Sequence, residues 1–239
     1  MCTSAIEEKN VFEVKNLNVF YGESQAIRDV SFHVGNEESV AIMGRNGMGK
    51  TTLLKSLIGI LPVKSGSIQL QGAELSRLES FERVRRGLAF VPQGRMIFPF
   101  LTVEENILTG CEHSGYRTVP EYIYRFFPVL LEMKHRMGGN LSGGQQQMLA
   151  IARALVSDPK VLILDEPTEG IQPSIIKDIA RTLNVLRKER RFAIVVSEQV
   201  LSFALDLADR FLVIDGGRIV HEESRAGLNH EKVRSFLTV

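Results

Sequence analysis

Apolar and polar positions change their spacing in a definite order along the chain. Val30, Phe32 and Val34 alternate with Ser31 and His33, the two-residue period of a strand with one buried face. The first thirty-odd residues therefore read as antiparallel sheet. Val40 to Met43 is uniformly apolar, a short buried strand that runs straight into a glycine-rich turn, Gly44 to Gly49. From Thr51 the spacing becomes helical, with Leu53, Leu54, Leu57 and Ile58 on one face. Ser65-Gly66 interrupts it, Ile68 and Leu70 resume a strand, and Leu88 to Val91 forms another.

Between about residues 95 and 140 the texture shifts to helical spacing broken at Pro99, Pro120 and Pro128, which reads as an inserted helical lobe. The strand-and-helix pattern then returns. A helix is expected from Gly143 to about Ser157, a strand over Val161 to Leu164, a helix over Ile175 to Arg187 and a strand over Phe192 to Val196. Phe211 to Ile214 and Arg218 to His221 flank Asp215-Gly216-Gly217, a hairpin signal. There are no internal repeats and no low-complexity linker. Strands alternating with helices imply an α/β fold whose mostly parallel sheet is covered on both faces.

Composition narrows the classes. With 239 residues and 44% hydrophobic positions, the chain can bury one sizeable core, alone or with a small lobe. A net charge of +1 argues against a nucleic-acid partner. Cys2 and Cys111 stand far apart without a CxxC, so neither a disulfide framework nor a zinc site is expected. No apolar run approaches the ~20 residues that span a bilayer. Met1 to Asn10 carries acids and a lysine where a signal peptide needs an apolar stretch. A soluble, cytoplasmic chain is expected.

The chemistry is concentrated in a few stretches. Gly44-Arg45-Asn46-Gly47-Met48-Gly49-Lys50-Thr51 fits G-x-x-x-x-G-K-[ST] between a predicted strand and a predicted helix. Glycines there let backbone N–H groups turn inward around phosphate oxygens, and the helix N-terminus adds partial positive charge. Lys50 is placed to reach the β and γ phosphates of ATP, and the Thr51 hydroxyl to ligate Mg2+. Val161 to Leu164 delivers Asp165 and Glu166 at the strand end where open α/β sheets bind ligands. Asp165 suits the magnesium ion, and Glu166 suits orienting the attacking water.

Leu141-Ser142-Gly143-Gly144-Gln145-Gln146-Gln147 resembles the signature of the ATP-binding-cassette (ABC) ATPases. Ser142 and Gln145 alone make a capping box, but two consecutive glycines weaken a helix and suit close approach to an anion. Taken with the phosphate loop and Asp165-Glu166, the resemblance covers essentially the whole chain. It implies a P-loop NTPase core with a RecA-like parallel sheet, an N-terminal antiparallel β subdomain and an inserted α-helical subdomain at about 95–148. The whole of 1–239 would be one nucleotide-binding domain.

By the same resemblance Tyr21 stacks on adenine, Thr52 joins the ATP site beside Thr51, and Gln93 touches magnesium and links core to lobe. Glu169-Gly170-Ile171-Gln172-Pro173 would cross to a partner ATPase, whose nucleotide Ser142, Gly143, Gly144 and Gln145 would serve. One position departs from the family. Where a histidine usually meets the γ phosphate stands Gln199, which can donate a hydrogen bond but cannot carry an imidazolium charge. That resembles one of the two ATPases of branched-chain amino-acid importers, whose companion usually keeps the histidine.

The resemblance therefore implies a heterodimer with a second ABC ATPase (a homodimer being the alternative), two transmembrane permease subunits and an external substrate-binding protein. The chain would sit peripherally on the cytoplasmic face of the membrane. Val91 to Pro99 and Leu101 to Asn106 also look like that importer class. Thr168 to Ile179 looks closer to its urea and short-chain amide branch, with branched-chain amino acids as the alternative cargo. An exporter subunit is a further alternative. Chromosome-organising and DNA-repair ATPases carry long coiled coils after the Gln93 region. Only 48 positions separate Gln93 from Leu141 here, with no sustained heptads. Little chain follows Val220, so the large regulatory domain of some sugar importers is not expected. Ile97, Phe98, Phe100 and Leu101 are expected either to face a permease helix or to fill the lobe core.

Overall fold

The computed structural model describes residues 10–112 and 114–227. The charged N-terminal stretch up to residue 9, with Cys2, and the chain beyond Gly227 lie outside the described residues.

A four-stranded antiparallel sheet comes first. It is ordered β2-β1-β4-β5 from β1 (Phe12–Tyr21), β2 (Ser24–Val34), β4 (Ser65–Leu70) and β5 (Ala73–Glu74). The alternation of Val30, Phe32 and Val34 puts all three in the core, as the spacing predicts. In β1 the alternation breaks at Lys15 and Asn16, where the register with β2 shifts and Asn16 takes a φ of 48°. The extra residue returns Leu17 to the buried face.

The second sheet runs β10-β9-β3-β8-β7-β6. Its strands β3 (Ser39–Met43), β6 (Leu88–Val91), β7 (Val161–Asp165), β8 (Ala193–Glu198) and β9 (Arg210–Asp215) are parallel where they pair. β10 (Arg218–Ser224) turns back antiparallel through Gly216 and Gly217, both at positive φ (52° and 78°). Two positive φ values are what a two-residue primed turn demands, which is why Asp-Gly-Gly signals the hairpin. Every residue of β3, β7 and β8 is buried, the pattern of strands covered on both faces.

Two apolar clusters show how. Val40, Ile42, Val161, Ile163 and Val195 face the antiparallel sheet and α1 (Lys50–Ile58), which contributes Leu53, Leu54, Leu57 and Ile58. Ala41, Met43, Leu162, Leu164, Ile194 and Val196 face the opposite way, toward α6 (Gly143–Leu155), α7 (Pro173–Arg190) and α8 (Leu201–Leu207). α2 (Ser80–Arg86) precedes β6. Between β6 and α6 the α-helices among the described residues are short, α3 (Val103–Leu108), α4 (Glu121–Phe126) and α5 (Pro128–Glu132). Pro120 stands before α4 and Pro128 opens α5, so the prolines punctuate as expected. Because β3, β6, β7 and β8 are parallel, the loops after all four leave one edge of the sheet.

Candidate nucleotide site

That edge collects the chemistry. After β3 the chain passes Gly44, where an added Cβ would lie 2.5 Å from the Ile214 carbonyl oxygen of β9, so nothing larger fits. Gly49 then takes a φ of 110° and starts α1. No side chain caps this helix and no acidic residue stands in its first turn, leaving its N-terminal N–H groups and partial positive charge for an anion. The loop is braced from outside: Gly217 N–H donates to Met48 O at 3.0 Å, and Arg28 N–H donates to Gly217 O at 2.8 Å.

Lys50 is buried and points into the loop's own ring. Its Nζ donates to Gly44 O (2.8 Å) and Arg45 O (3.1 Å) and pairs with Glu166 Oε1 at 3.1 Å. Thr51 Oγ1 donates to Asp165 Oδ1 (3.1 Å), and Ser197 Oγ donates to the same oxygen at 2.6 Å. Burial pushes the Asp165 pKa up, the hydroxyls of Ser197 and Thr51 pull it down, and nearby Glu166 raises it further; the net shift is upward. Asp165 Oδ2 is buried with no partner. A buried carboxylate oxygen without a partner is costly, and a cation supplies one. With the Thr51 hydroxyl beside it, the donor set fits a hard ion such as Mg2+, which keeps few protein ligands. Gln93 lies toward the other carboxylates instead: its Nε2 donates to Glu169 Oε2 at 3.2 Å and to Glu166 Oε2 at 3.5 Å.

Glu166 is the hub. It takes a φ of 44°, held by its N–H donating to Ser197 O and Ser197 Oγ, both at 3.1 Å. A non-glycine residue there is uncommon and aims the side chain off the strand axis. Gln199 Nε2 donates to Glu166 Oε1 at 2.9 Å and to Asn46 Oδ1 at 2.7 Å, tying the loop after β8 to the phosphate loop.

A cavity of about 550 Å³ opens over these groups, lined by Tyr21, Asn46, Gly47, Gly49, Lys50, Thr51, Thr52, Gln93 and Glu166 of the predicted residues. Gly44, Arg45, Met48, Asp165 and Gln199 support it from behind or beside. Tyr21 is 51% exposed, with its hydroxyl 3.4 Å from Thr52 Oγ1, leaving a ring face free to stack. Gln25, Ala26 and Arg28 also line the cavity and have no motif to announce them, and Gly216 and Gly217, which the sequence marks only as a hairpin turn, line it too.

Ser142, Gly143, Gly144 and Gln145 do not line it. Ser142 caps α6 as expected: its N–H donates to Gln145 Oε1 (2.9 Å), and Gln145 N–H donates to Ser142 Oγ (3.4 Å). The glycines have a packing reason of their own. An added Cβ at Gly144 would lie 2.7 Å from Ile175 Cγ2, and one at Gly143 would lie 3.2 Å from Gly170 O.

Two supporting residues lack any sequence signal beyond their neighbours. Glu198, fully buried at the end of β8, accepts the N–H groups of Gln199 (2.8 Å) and Val200 (3.3 Å) and the Thr168 hydroxyl. Ser197 holds both Asp165 and Glu166, as given above. Among the described residues no helix is long and apolar enough to cross a membrane.

The ABC transporter family matches residues 27–169. The high-affinity branched-chain amino acid transport ATP-binding protein BraG of Pseudomonas aeruginosa is 44% identical, over 91% of this chain and 95% of its own. A probable branched-chain amino acid transport ATP-binding protein, LivF, of Archaeoglobus fulgidus is 36% identical over 90% and 93%. Among solved structures, a nucleotide-free ATP-binding cassette from an ABC transporter superposes with a TM-score of 0.82 at 26% identity, covering 95% of each chain.

Proposed function

The chain belongs to the ABC transporter family, and from that premise we propose that it is the ATP-hydrolysing motor of an importer for branched-chain amino acids. The observation that carries the hydrolytic reading is the convergence of Lys50, Gln93 and Gln199 on the one carboxylate of Glu166, at the mouth of the phosphate loop. The cargo rests on the two branched-chain relatives, which outweigh the likeness of Thr168 to Ile179 to the urea and amide branch.

In this reading ATP phosphates enter the ring of residues 44–51. The Lys50 ammonium exchanges its carbonyl and Glu166 partners for phosphate oxygens, which releases Glu166. Glu166 then accepts a proton from the attacking water, and Gln199 holds Glu166 with one amide hydrogen and Asn46 with the other, without contributing charge. Thr51 Oγ1 and Asp165 Oδ2 would hold Mg2+, while Gln93 faces Glu166 and Glu169. When bound, the ion polarises phosphoryl oxygens and offsets developing negative charge. Tyr21 supplies the stacking face for adenine.

Ser142, Gly143 and Gly144 stand outside this cavity, which supports a dimer in which each signature serves the other subunit's ATP. Gln199 in place of a histidine favours a companion ATPase of different sequence. A second cavity of about 520 Å³, lined by Ile60, Phe81, Val84, Met96 and Phe98 among others, suits a short helix from a permease subunit at the cytoplasmic face of a membrane. Phe98, Met96 (70%) and Phe81 are exposed here and line the cavity together. Ile97, by contrast, packs against the lobe core. Two permease subunits and an external substrate-binding protein complete the proposed importer.

Titration with ATP and Mg2+ tests the binding half. Lys50→Ala removes the charged partner of a desolvated triphosphate and should weaken binding by about 100-fold or more. Unchanged affinity would refute the assignment of Lys50.

A further inference from the structure

Gly94, Arg95 and Met96 are three consecutive residues with left-handed backbone, at φ 79°, 68° and 46°. Only the first is a glycine, so the other two need an external hold. Arg153, in the last turn of α6, provides one. Its Nη2 donates to Arg95 O (3.1 Å) and Met96 O (2.8 Å), and its guanidinium lies over the Phe98 ring, 5.4 Å from the centroid. The backbone at Arg153 is closely packed on its other side: an added Cβ at Gly110 would lie only 2.0 Å from the Arg153 carbonyl oxygen.

The turn so held has two working sides. Outward, Met96, Phe98 and Arg153 itself line the second cavity. Inward, Gln93 reaches Glu166 and Glu169, and Arg95 Nη2 donates to Glu169 O at 2.6 Å. Building on the reading of Glu166 as the hydrolytic carboxylate and of the outer cavity as a permease seat, we propose that Arg153 is a positioning residue. It locks the Gly94–Met96 turn so that displacement of Phe98 or Met96 in the groove is passed to Gln93 and Glu169. The planar guanidinium bonds two carbonyls and covers a ring in one fixed geometry, which the compact, freely rotating ammonium of a lysine does not impose.

Hydrogen exchange on the full chain, without nucleotide, tests the clamp directly. Arg153→Met should speed exchange at least ~5-fold in segments 94–98 and 166–171, with 146–150 of α6 unchanged, and Arg153→Lys should fall between. In steady-state hydrolysis, Arg153→Met should lower kcat about 10-fold with KM for ATP within about twofold. Adding Met96→Gly should recover part of kcat, since glycine rests at positive φ unaided. Unchanged exchange at 94–98, exchange raised only along α6, or no recovery with Met96→Gly would each overturn the clamp. If Arg153→Met does not fold, the same exchange comparison is made with Arg153→Lys and decides alike. An unmodified chain that hydrolyses no ATP even beside its companion ATPase would sink the motor reading, while the exchange result would still judge Arg153.

Discussion

The Gln199 side-chain amide sits 2.9 Å from Glu166 Oε1, so a group without a titratable proton occupies the place beside the carboxylate proposed to act in hydrolysis. Its second hydrogen reaches Asn46, which makes Gln199 a brace between the phosphate loop and Glu166. Gln199→Ala should lower kcat by about 100-fold, the scale of losing one aimed donor in a water-poor site. Gln199→His should retain more activity and add a pH dependence that the glutamine cannot show. Its rate should rise as pH falls through the imidazole range near ~6.5, because the charged ring donates more strongly. Rate against pH for both variants is the check; a Gln199→Ala enzyme at the original rate removes the brace from the mechanism.

Gly144 is a packing position before it is a signature. Its missing Cβ makes room for Ile175 at the start of α7. Gly144→Ala should destabilise the fold by about 1–3 kcal/mol in denaturant unfolding, as overpacking does, and that cost should shrink in an Ile175→Ala background, which removes the Cγ2 that the new Cβ meets. Equal stability of Gly144→Ala and the unmodified chain would show that the contact yields freely.

Glu74 sets a pH dependence far from the site. Burial pushes its pKa up, but the hydroxyls of Ser67 and Ser76 and the N–H groups of Ser76 and Ile68 overcome this and bring it down from 4.5 to about 2. A depressed carboxylate stabilises the fold above its unfolded pKa and loses that contribution as pH falls through the folded one. Between about pH 4.5 and 2 the antiparallel subdomain should therefore lose stability, and Glu74→Gln should flatten that part of the curve. Identical acid unfolding of the two proteins would contradict it.

Much of this molecule is readable along the chain because its strongest signals are local. Val40 to Met43 and Val161 to Leu164 are apolar at every position, as only doubly covered strands are, and the glycines of 44–49 follow one of them directly. The shorter elements carry too few residues for a period to emerge. α2 and α8 have seven residues each and β5 has two, and tertiary packing decides them. The supports of the site are hidden for another reason. Thr168 meets Glu198 across thirty positions, and Arg153 meets the Arg95 carbonyl across 58; no spacing rule joins residues on different strands and helices. Asn16 shows the same limit in one strand, where a single extra residue resets the face that Leu17 presents.

Hydrolysis by Glu166→Gln is the most direct test. The substitution keeps the size of the side chain and its contacts with Gln93 and Gln199 within reach, but removes the proton acceptor. ATP binding should stay within a few-fold of the unmodified chain, while phosphate release should fall by about 100-fold or more. Phosphate release near the original rate would contradict the claim that this carboxylate, held by Lys50 and Gln199, cleaves the terminal phosphate of ATP.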